Sequence, residues 1–508
     1  MKSIKFLIST LAIIVALSGC SKGWLDTEMT GSVLTQEEYD NLPGTAEGAV
    51  LGLYSNLYAA SDHHYFGQKS IDMATDILSG DMAMTANAYG WFTDCEQQQC
   101  ASMTAGRNSY IWHYYYRIIL NANAAIRSFV ALENPTDDQK AALAQCLTMR
   151  AYCYFNLAHL YSPGLTDTES ADYFIGNTGM DYLCVPIYNE NSSVNDTTGL
   201  VKEQQVASTR AVYDQVLSDL DYAIALFDET GFQRSSKLYV NKDIATAYLA
   251  YTYLQTAEYD SAYTVAKRVI DAGNFEIMPY EDLTTTGFTD QNDPSWMWAL
   301  DVSIENTTSL ASFWGHMDIH TYSYAFAGAL KAMDDALFKT IPESDGRIAW
   351  FDVNNKYIPD WKFYDKARGV RADEIDRRWL NDIVFMRIEE MYLVAAEGAA
   401  RAGKDAEAKE ILKALLAERD ETVMATVDGM SNEALLENIY YNWRVELFGE
   451  GRALMTFKRF GGVKMRGNNH FYKPGENMQA VDPANPVLLF IIPYSEYVNN
   501  QANNELKK

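Results

Sequence analysis

The 508-residue chain is short of positive charge, of histidine and of the motifs on which catalysis is usually built. Lysine and arginine number 41 against 68 aspartates and glutamates, a formal net charge of −27. A surface of that sign repels phosphate backbones and anionic lipid heads, which excludes a nucleic-acid partner and suits a neutral or cationic ligand. There is no glycine-rich phosphate loop, no G-x-S-x-G turn and no C-x-x-C pair. His316 and His320 in HMDIH have the spacing of a helical metal pair, but Met317 stands where a zincin needs glutamate, so no metal is expected there. His63 and His64 are adjacent and read as loop residues. Asp290–Asp293 lack the glycine and terminal glutamate of an EF-hand. A structural calcium there stays open; no other cofactor is expected. No carboxylate pair stands out as the acid and base of a glycosidase. The chain reads as non-enzymatic.

Long apolar runs are also missing, with one exception. Phe6–Leu17 is apolar, follows Lys2 and Lys5, and is shorter than the roughly 20 residues a bilayer span needs. It reads as an export signal. The sequence Leu17-Ser18-Gly19-Cys20 that ends it resembles the lipobox of bacterial lipoproteins. That resemblance implies removal of residues 1–19 and acylation of Cys20, whose chains would anchor the protein to a membrane. Loss of Lys2 and Lys5 would take the charge from −27 to −29.

Six cysteines give no complete disulfide framework once Cys20 is set aside, because five remain. Cys95 and Cys100 could close a small loop in an oxidising compartment, and that pairing stays open here. Cys146 and Cys153 lie seven apart in a helical pattern, roughly 10 Å along the axis and too far to bridge. Buried thiols are the default reading.

Helical patterning fills much of residues 20–508, which are expected to form one unit. In 140–161, Leu143, Leu147, Ala151, Tyr154, Ala158 and Tyr161 recur at steps of four and three, and Pro163-Gly164 ends the run. A second helix over 208–227 aligns Val212, Val216, Leu220, Ala223 and Phe227. Residues 242–273 read as a helix pair: Ala250 and Ala262 are twelve apart, with Tyr253 and Tyr259 between them. Ala396 and Ala408 repeat this spacing around Gly403-Lys404-Asp405. This is tetratricopeptide logic, interrupted by more than a hundred residues. The predicted fold is therefore all-α, a tetratricopeptide-like helical repeat scaffold with a few short strands, one of them over 296–303. Aromatic-rich, loop-rich insertions lie near 61–110 and 275–380.

Several segments together resemble the SusD/RagB family of Bacteroidetes outer-membrane lipoproteins. They are Trp24-Leu25-Asp26, MRAYCYFNLAHLYS (149–162), ASTRAVYDQVLSDLDYAI (207–224), FMRIEEMYLVAAEGAARAG (385–403), WRVELFGEGRALMTFKRFG (443–461) and IIPYSEYVNNQANNE (491–505). Thr456 stands where the family pattern has an aspartate, and Ala453-Leu454 where it has a bulkier pair. The resemblance implies a lipid-anchored cell-surface protein of the outer membrane. It implies a SusC-type TonB-dependent transporter as partner and an oligosaccharide or polysaccharide as ligand. The alternative is peptide capture of the RagB type.

Within those motifs Arg387, Glu390, Glu397, Arg444 and Arg452 are read as a buried ion network that locks scaffold helices together. Ligand contacts are expected in the insertions, where aromatic faces can stack on sugar C–H groups and polar side chains can grip hydroxyls. In 80–94 the candidates are Asp81, Asn87, Tyr89, Trp91 and Phe92. In 309–326 they are Phe313, Trp314, His316, His320 and Tyr322. Trp112 reads as core; Trp296 and Trp298 are left open between core and site.

Overall fold

A computed structural model describes residues 45–163, 179–193, 201–304, 306, 310–320, 322–364, 379–462, 464–472, 480–481, 486–500 and 502–503. The export segment, Cys20 and Trp24-Leu25-Asp26 lie outside the described residues. The fold below is that of the compact unit Ala49–Lys508.

Helix α1 (Gln68–Ser79) is followed by the long pair α2 (Gly106–Val130) and α3 (Asp137–Tyr161), then by α4 (Thr209–Thr230). Next come α5 (Lys242–Gln255), α6 (Tyr259–Asp271), α7 (Ile388–Arg401), α8 (Asp405–Ala417), α9 (Asn432–Glu446) and α10 (Ala453–Phe460). Their starts are written in the sequence. Thr136 and Gln139 form a reciprocal capping box on α3. Ser208, Asn241 and Ser431 each accept the third backbone amide of the helix that follows. Each such cap contributes about 1 kcal/mol.

Successive helices pack side by side from α2 to α6, and α6 then packs on α7. The two tetratricopeptide-like pairs are thus neighbours in space, and the interruption seen in sequence is an excursion that returns. Gly398 shows why they can touch. A Cβ there would lie 2.8 Å from the Tyr259 carbonyl oxygen and 2.9 Å from the Tyr263 nitrogen. Ala250, Ala262, Ala396 and Ala408 are all buried. Between α3 and α4, the Arg150 guanidinium donates to both carboxylate oxygens of Asp219, at 2.8 and 2.6 Å.

The insertion near 61–110 differs from expectation, because it contains α1, buried at every position. Ile71, Ala74, Ile77 and Leu78 do recur at helical spacing, and the polar side of the helix is covered as well. Its charged side chains turn inward and are paired: Lys69 with Asp72, and Asp76 with the Gly451 and Ala453 amides. The strands are short. Met82–Met84 (β1) pairs with Lys331–Met333 (β3), and Trp296–Leu300 (β2) with Ile383–Arg387 (β4), both antiparallel. Every sheet among the described residues has two strands. Trp296 and Trp298 are fully buried on β2 and so belong to the core, as does Trp112.

A buried ion cluster ties β4 and α7 to the motif around α9. Arg387 contacts Glu389, Glu446 and Glu450. Arg419 holds Glu389 and Glu446, Arg347 holds Asp345 and Glu446, and Lys362 holds Glu450. Arg452 pairs with Glu390, while Glu397 takes Arg401 and Arg459. One expectation is corrected: Arg444 joins neither glutamate and instead grips Asp81 at 2.7 Å. The helical spacing placed Arg444 near the motif but could not reveal that α9 also faces the 80–94 segment.

Burial works to raise these carboxyls; it prevails at Glu389, whereas at Glu446 and Glu450 the cations win. Arg387 and Lys362 bring Glu450 down from 4.5 to about 2, and Arg419 and Arg387 hold Glu446 well below the ordinary range. A carboxylate depressed on folding stabilises the protein above its unfolded pKa and loses that contribution as pH falls through the folded value. Thermal unfolding followed by circular dichroism should therefore give a melting temperature that drops steeply from pH 4.5 toward pH 2. A flat profile across that window would mean these pairs add no net stability.

Candidate functional site

The small β1–β3 sheet brings together the two aromatic-rich stretches that the sequence separates. Its pairs are Met82 with Met333, Ala83 with Ala332 and Met84 with Lys331. Pairing continues beyond the strands: the Thr85 amide donates to the Leu330 carbonyl at 3.1 Å and Ala88 to Gly328 at 3.2 Å. The loop after β1 therefore stands beside the chain that runs into β3.

On this frame lies an aromatic platform. Tyr89 is 47% exposed, its ring edge-on to Tyr324 at 5.3 Å. Trp91 is half-buried, 6.0 Å from Tyr324 and nearly parallel to the rings of His63 and His64, at 5.1 and 5.0 Å. The Tyr324 hydroxyl is hydrogen-bonded to His63 Nδ1. Tyr322 and Phe326, two residues to either side of Tyr324, are 43% and 57% exposed. Asn87 stiffens the loop. Its Oδ1 accepts the Gly90 amide at 2.6 Å, and its Nδ2 donates to Thr93 Oγ1 at 2.7 Å and to the Tyr472 hydroxyl at 3.2 Å. Beside Tyr472, Phe471 is exposed.

Beside the platform Arg107, His316 and Lys331 are buried and hydrogen-bonded. Phe92 adopts φ +65°, which turns its ring inward against His316 and under the Arg107 guanidinium. Arg107 in turn donates to both oxygens of Asp94. Lys331 Nζ donates to His316 Nδ1 at 3.0 Å, so His316 carries its proton on Nε2 and gives it to the His63 carbonyl at 2.8 Å. Burial and Lys331 hold the His316 pKa well below the usual imidazole range; burial and Arg107 bring Lys331 to about 7 and His64 to about 4.

Four expected ligand contacts, Asp81, Phe313, Trp314 and His316, are corrected by these positions. Asp81 is buried and spent on Arg444 and Lys464. Trp314 is 2% exposed, its indole nitrogen donating to the Asp382 carbonyl, and Phe313 is buried beside it. His316 is the buried support just described. His320 packs edge-on to Tyr364, among partners different from those of His316, so HMDIH does not converge on one ion. For Phe313, Trp314 and His316 the physical reason is shared: Phe313–Met317 is a short buried helix, not a loop on the surface. Asn87, Tyr89, Trp91 and Tyr322 remain at the surface. Asp290 and Asp293 spend carboxylate oxygens on nearby amides and on the Ser295 hydroxyl. Sequence reasoning missed His63, Tyr324, Phe326, Phe471 and Tyr472. The run HHYF at 63–66 carried a signal for the first of these.

The geometry offers aromatic faces ringed by an amide, hydroxyls and an imidazole, which suits a ring with apolar faces and a hydroxylated rim.

Comparison with known proteins adds the context. Residues 47–254 match a SusD-like family described as starch-binding and associating with the outer membrane. Residues 343–495 match the SusD family. Among solved structures, a SusD-like carbohydrate binding protein from Bacteroides vulgatus is 22% identical with a TM-score of 0.74, covering 91% of this chain and 97% of its own. A putative sugar binding protein from the same species is 21% identical with a TM-score of 0.72, covering 91% and 98%. A SusD superfamily protein from Bacteroides thetaiotaomicron is 21% identical with a TM-score of 0.71, covering 92% and 99%. No curated protein matches the chain.

Proposed function

Because this chain belongs to the SusD-like family, we propose that it captures a glycan at the cell surface and passes it to a TonB-dependent outer-membrane transporter of the SusC type. The observation that carries this reading is the platform of Tyr89, Trp91, Tyr322 and Phe326 on a rigid, charge-satisfied base. Such a base holds the rings in place before a ligand arrives, which lowers the ordering cost of binding. Two solved relatives carry sugar or carbohydrate binding in their descriptions, and the family is outer-membrane-associated. The lipobox at Cys20 would supply the anchor. A binder releases its ligand unaltered, and Asp94, three residues after Trp91, is engaged on both oxygens by Arg107 rather than free as an acid.

Affinity electrophoresis of the lipid-free chain against a panel of polysaccharides tests this. The chain should be retarded in at least one gel, with binding unchanged between low and high salt and no new reducing ends after prolonged incubation. Failure across the panel, together with salt-sensitive binding of cationic peptides, would replace glycan capture with RagB-type peptide capture.

A further inference from the structure

We propose that Cys95 and Cys100 are a redox pair that closes to a disulfide outside the cell, bracing the loop that carries Trp91. The Sγ atoms of both residues and a carboxylate oxygen of Asp94 all lie within 4.8 Å of one another. The backbone already makes the required turn. Cys95 opens its amide bond to the Phe92 carbonyl at 3.0 Å, and the Cys100 amide returns to the Asp94 carbonyl at 3.1 Å. Gln98, between them, takes φ +57° to complete the reversal. The turn thus brings the two thiols within reach of each other, and closure needs the Sγ atoms to move to the roughly 2.05 Å of a disulfide.

The same three atoms could be read as a metal site, but Arg107 argues against it. Its Nε and Nη2 donate to Asp94 Oδ2 and Oδ1 at 2.8 and 3.2 Å, so a divalent cation would have to displace a buried guanidinium from its only strong partner and then sit beside its charge. A disulfide is neutral and leaves that pair intact.

The chemistry balances by thiol–disulfide exchange. The Cys95 and Cys100 thiols each lose a proton and together give two electrons to an external disulfide, whose S–S bond breaks to two thiols as the new Sγ–Sγ bond forms. The oxidant class is a small-molecule or protein disulfide. Burial pushes the Cys95 thiol well above its ordinary pKa, which disfavours the attacking thiolate in the folded protein, so closure belongs to the folding stage. The closed ring would begin at Cys95, four residues after Trp91, and would restrain the turn that follows that residue.

The purified full-length chain, refolded in a mixture of oxidised and reduced glutathione, is alkylated and mapped by mass spectrometry. A Cys95–Cys100 cross-linked peptide, two hydrogen masses lighter than its reduced parts, is expected, with Cys146, Cys153 and Cys184 alkylated. The melting temperature should fall on reduction in the wild type and not in Cys95→Ser/Cys100→Ser. Full alkylation of Cys95 and Cys100 after oxidising refolding would overturn the proposal. So would stoichiometric zinc retained by the reduced chain and lost in the double variant. Neither readout depends on glycan binding, so failure here leaves the proposed function standing.

Discussion

Glu446→Ala should cost the protein about 3–5 kcal/mol, the loss typical of removing one member of a buried ion pair. Glu446 is fully buried at the end of α9 and takes three guanidiniums at once: Arg387 at 3.0 Å, Arg419 at 2.9 Å and Arg347 at 3.1 Å. The surrounding cluster is charge-balanced, with Arg347, Arg387, Arg419 and Lys362 facing Asp345, Glu389, Glu446 and Glu450. Deleting Glu446 leaves one positive charge uncompensated where water cannot reach it, and that desolvation, more than the lost attraction, sets the size of the effect. Urea unfolding should show a lower midpoint with an unchanged slope, since the surface exposed on unfolding is the same. A midpoint within error of wild type would mean that the cluster relaxes or hydrates freely, contrary to its burial.

Tyr89→Ala combined with Trp91→Ala should weaken binding of a retained glycan by more than tenfold, about 2 kcal/mol, as expected for two central aromatic contacts. Tyr89 is largely exposed, so its loss should leave the fold untouched; Trp91 is half-buried against His63 and His64, so a stability measurement must accompany the affinity. Tyr222→Ala is the control, an exposed tyrosine on the outward face of α4. It should bind like wild type. Equal loss in the Tyr222 variant would mean the affinity is spread over the surface rather than held at the platform.

The sequence was most informative where a physical pattern repeats. The alternation of Leu143 to Tyr161 and the stop at Pro163-Gly164 place α3 within a few residues of its observed bounds, and the paired alanines mark the two helical hairpins. What it could not supply was contact across the chain. The adjacency of α6 and α7 depends on Gly398 meeting Tyr259, residues far apart in sequence. Helix α1 escaped notice although Ile71, Ala74, Ile77 and Leu78 recur at helical spacing, because the Gly-, Asn- and aromatic-rich composition around it reads as loop. At the site, composition drew attention to 80–94 and 309–326, yet it ranked aromatics without knowing their depth. Trp91 and Trp314 look alike in sequence; Trp91 lies in a turn and is half-buried, whereas Trp314 lies in the short helix Phe313–Met317 and is buried. His63 and Tyr324, which hold the platform together, are joined only by the hairpin at 60–66 and the β1–β3 sheet.

The most direct measurement is a crystal structure of the chain with an oligosaccharide from whichever polysaccharide retards it. The account predicts a sugar ring against the exposed aromatics of Tyr89, Trp91, Tyr322 or Phe326, with Asn87 or a neighbouring hydroxyl at its rim and Trp314 still buried. A sugar bound elsewhere, with that platform bare, would contradict it.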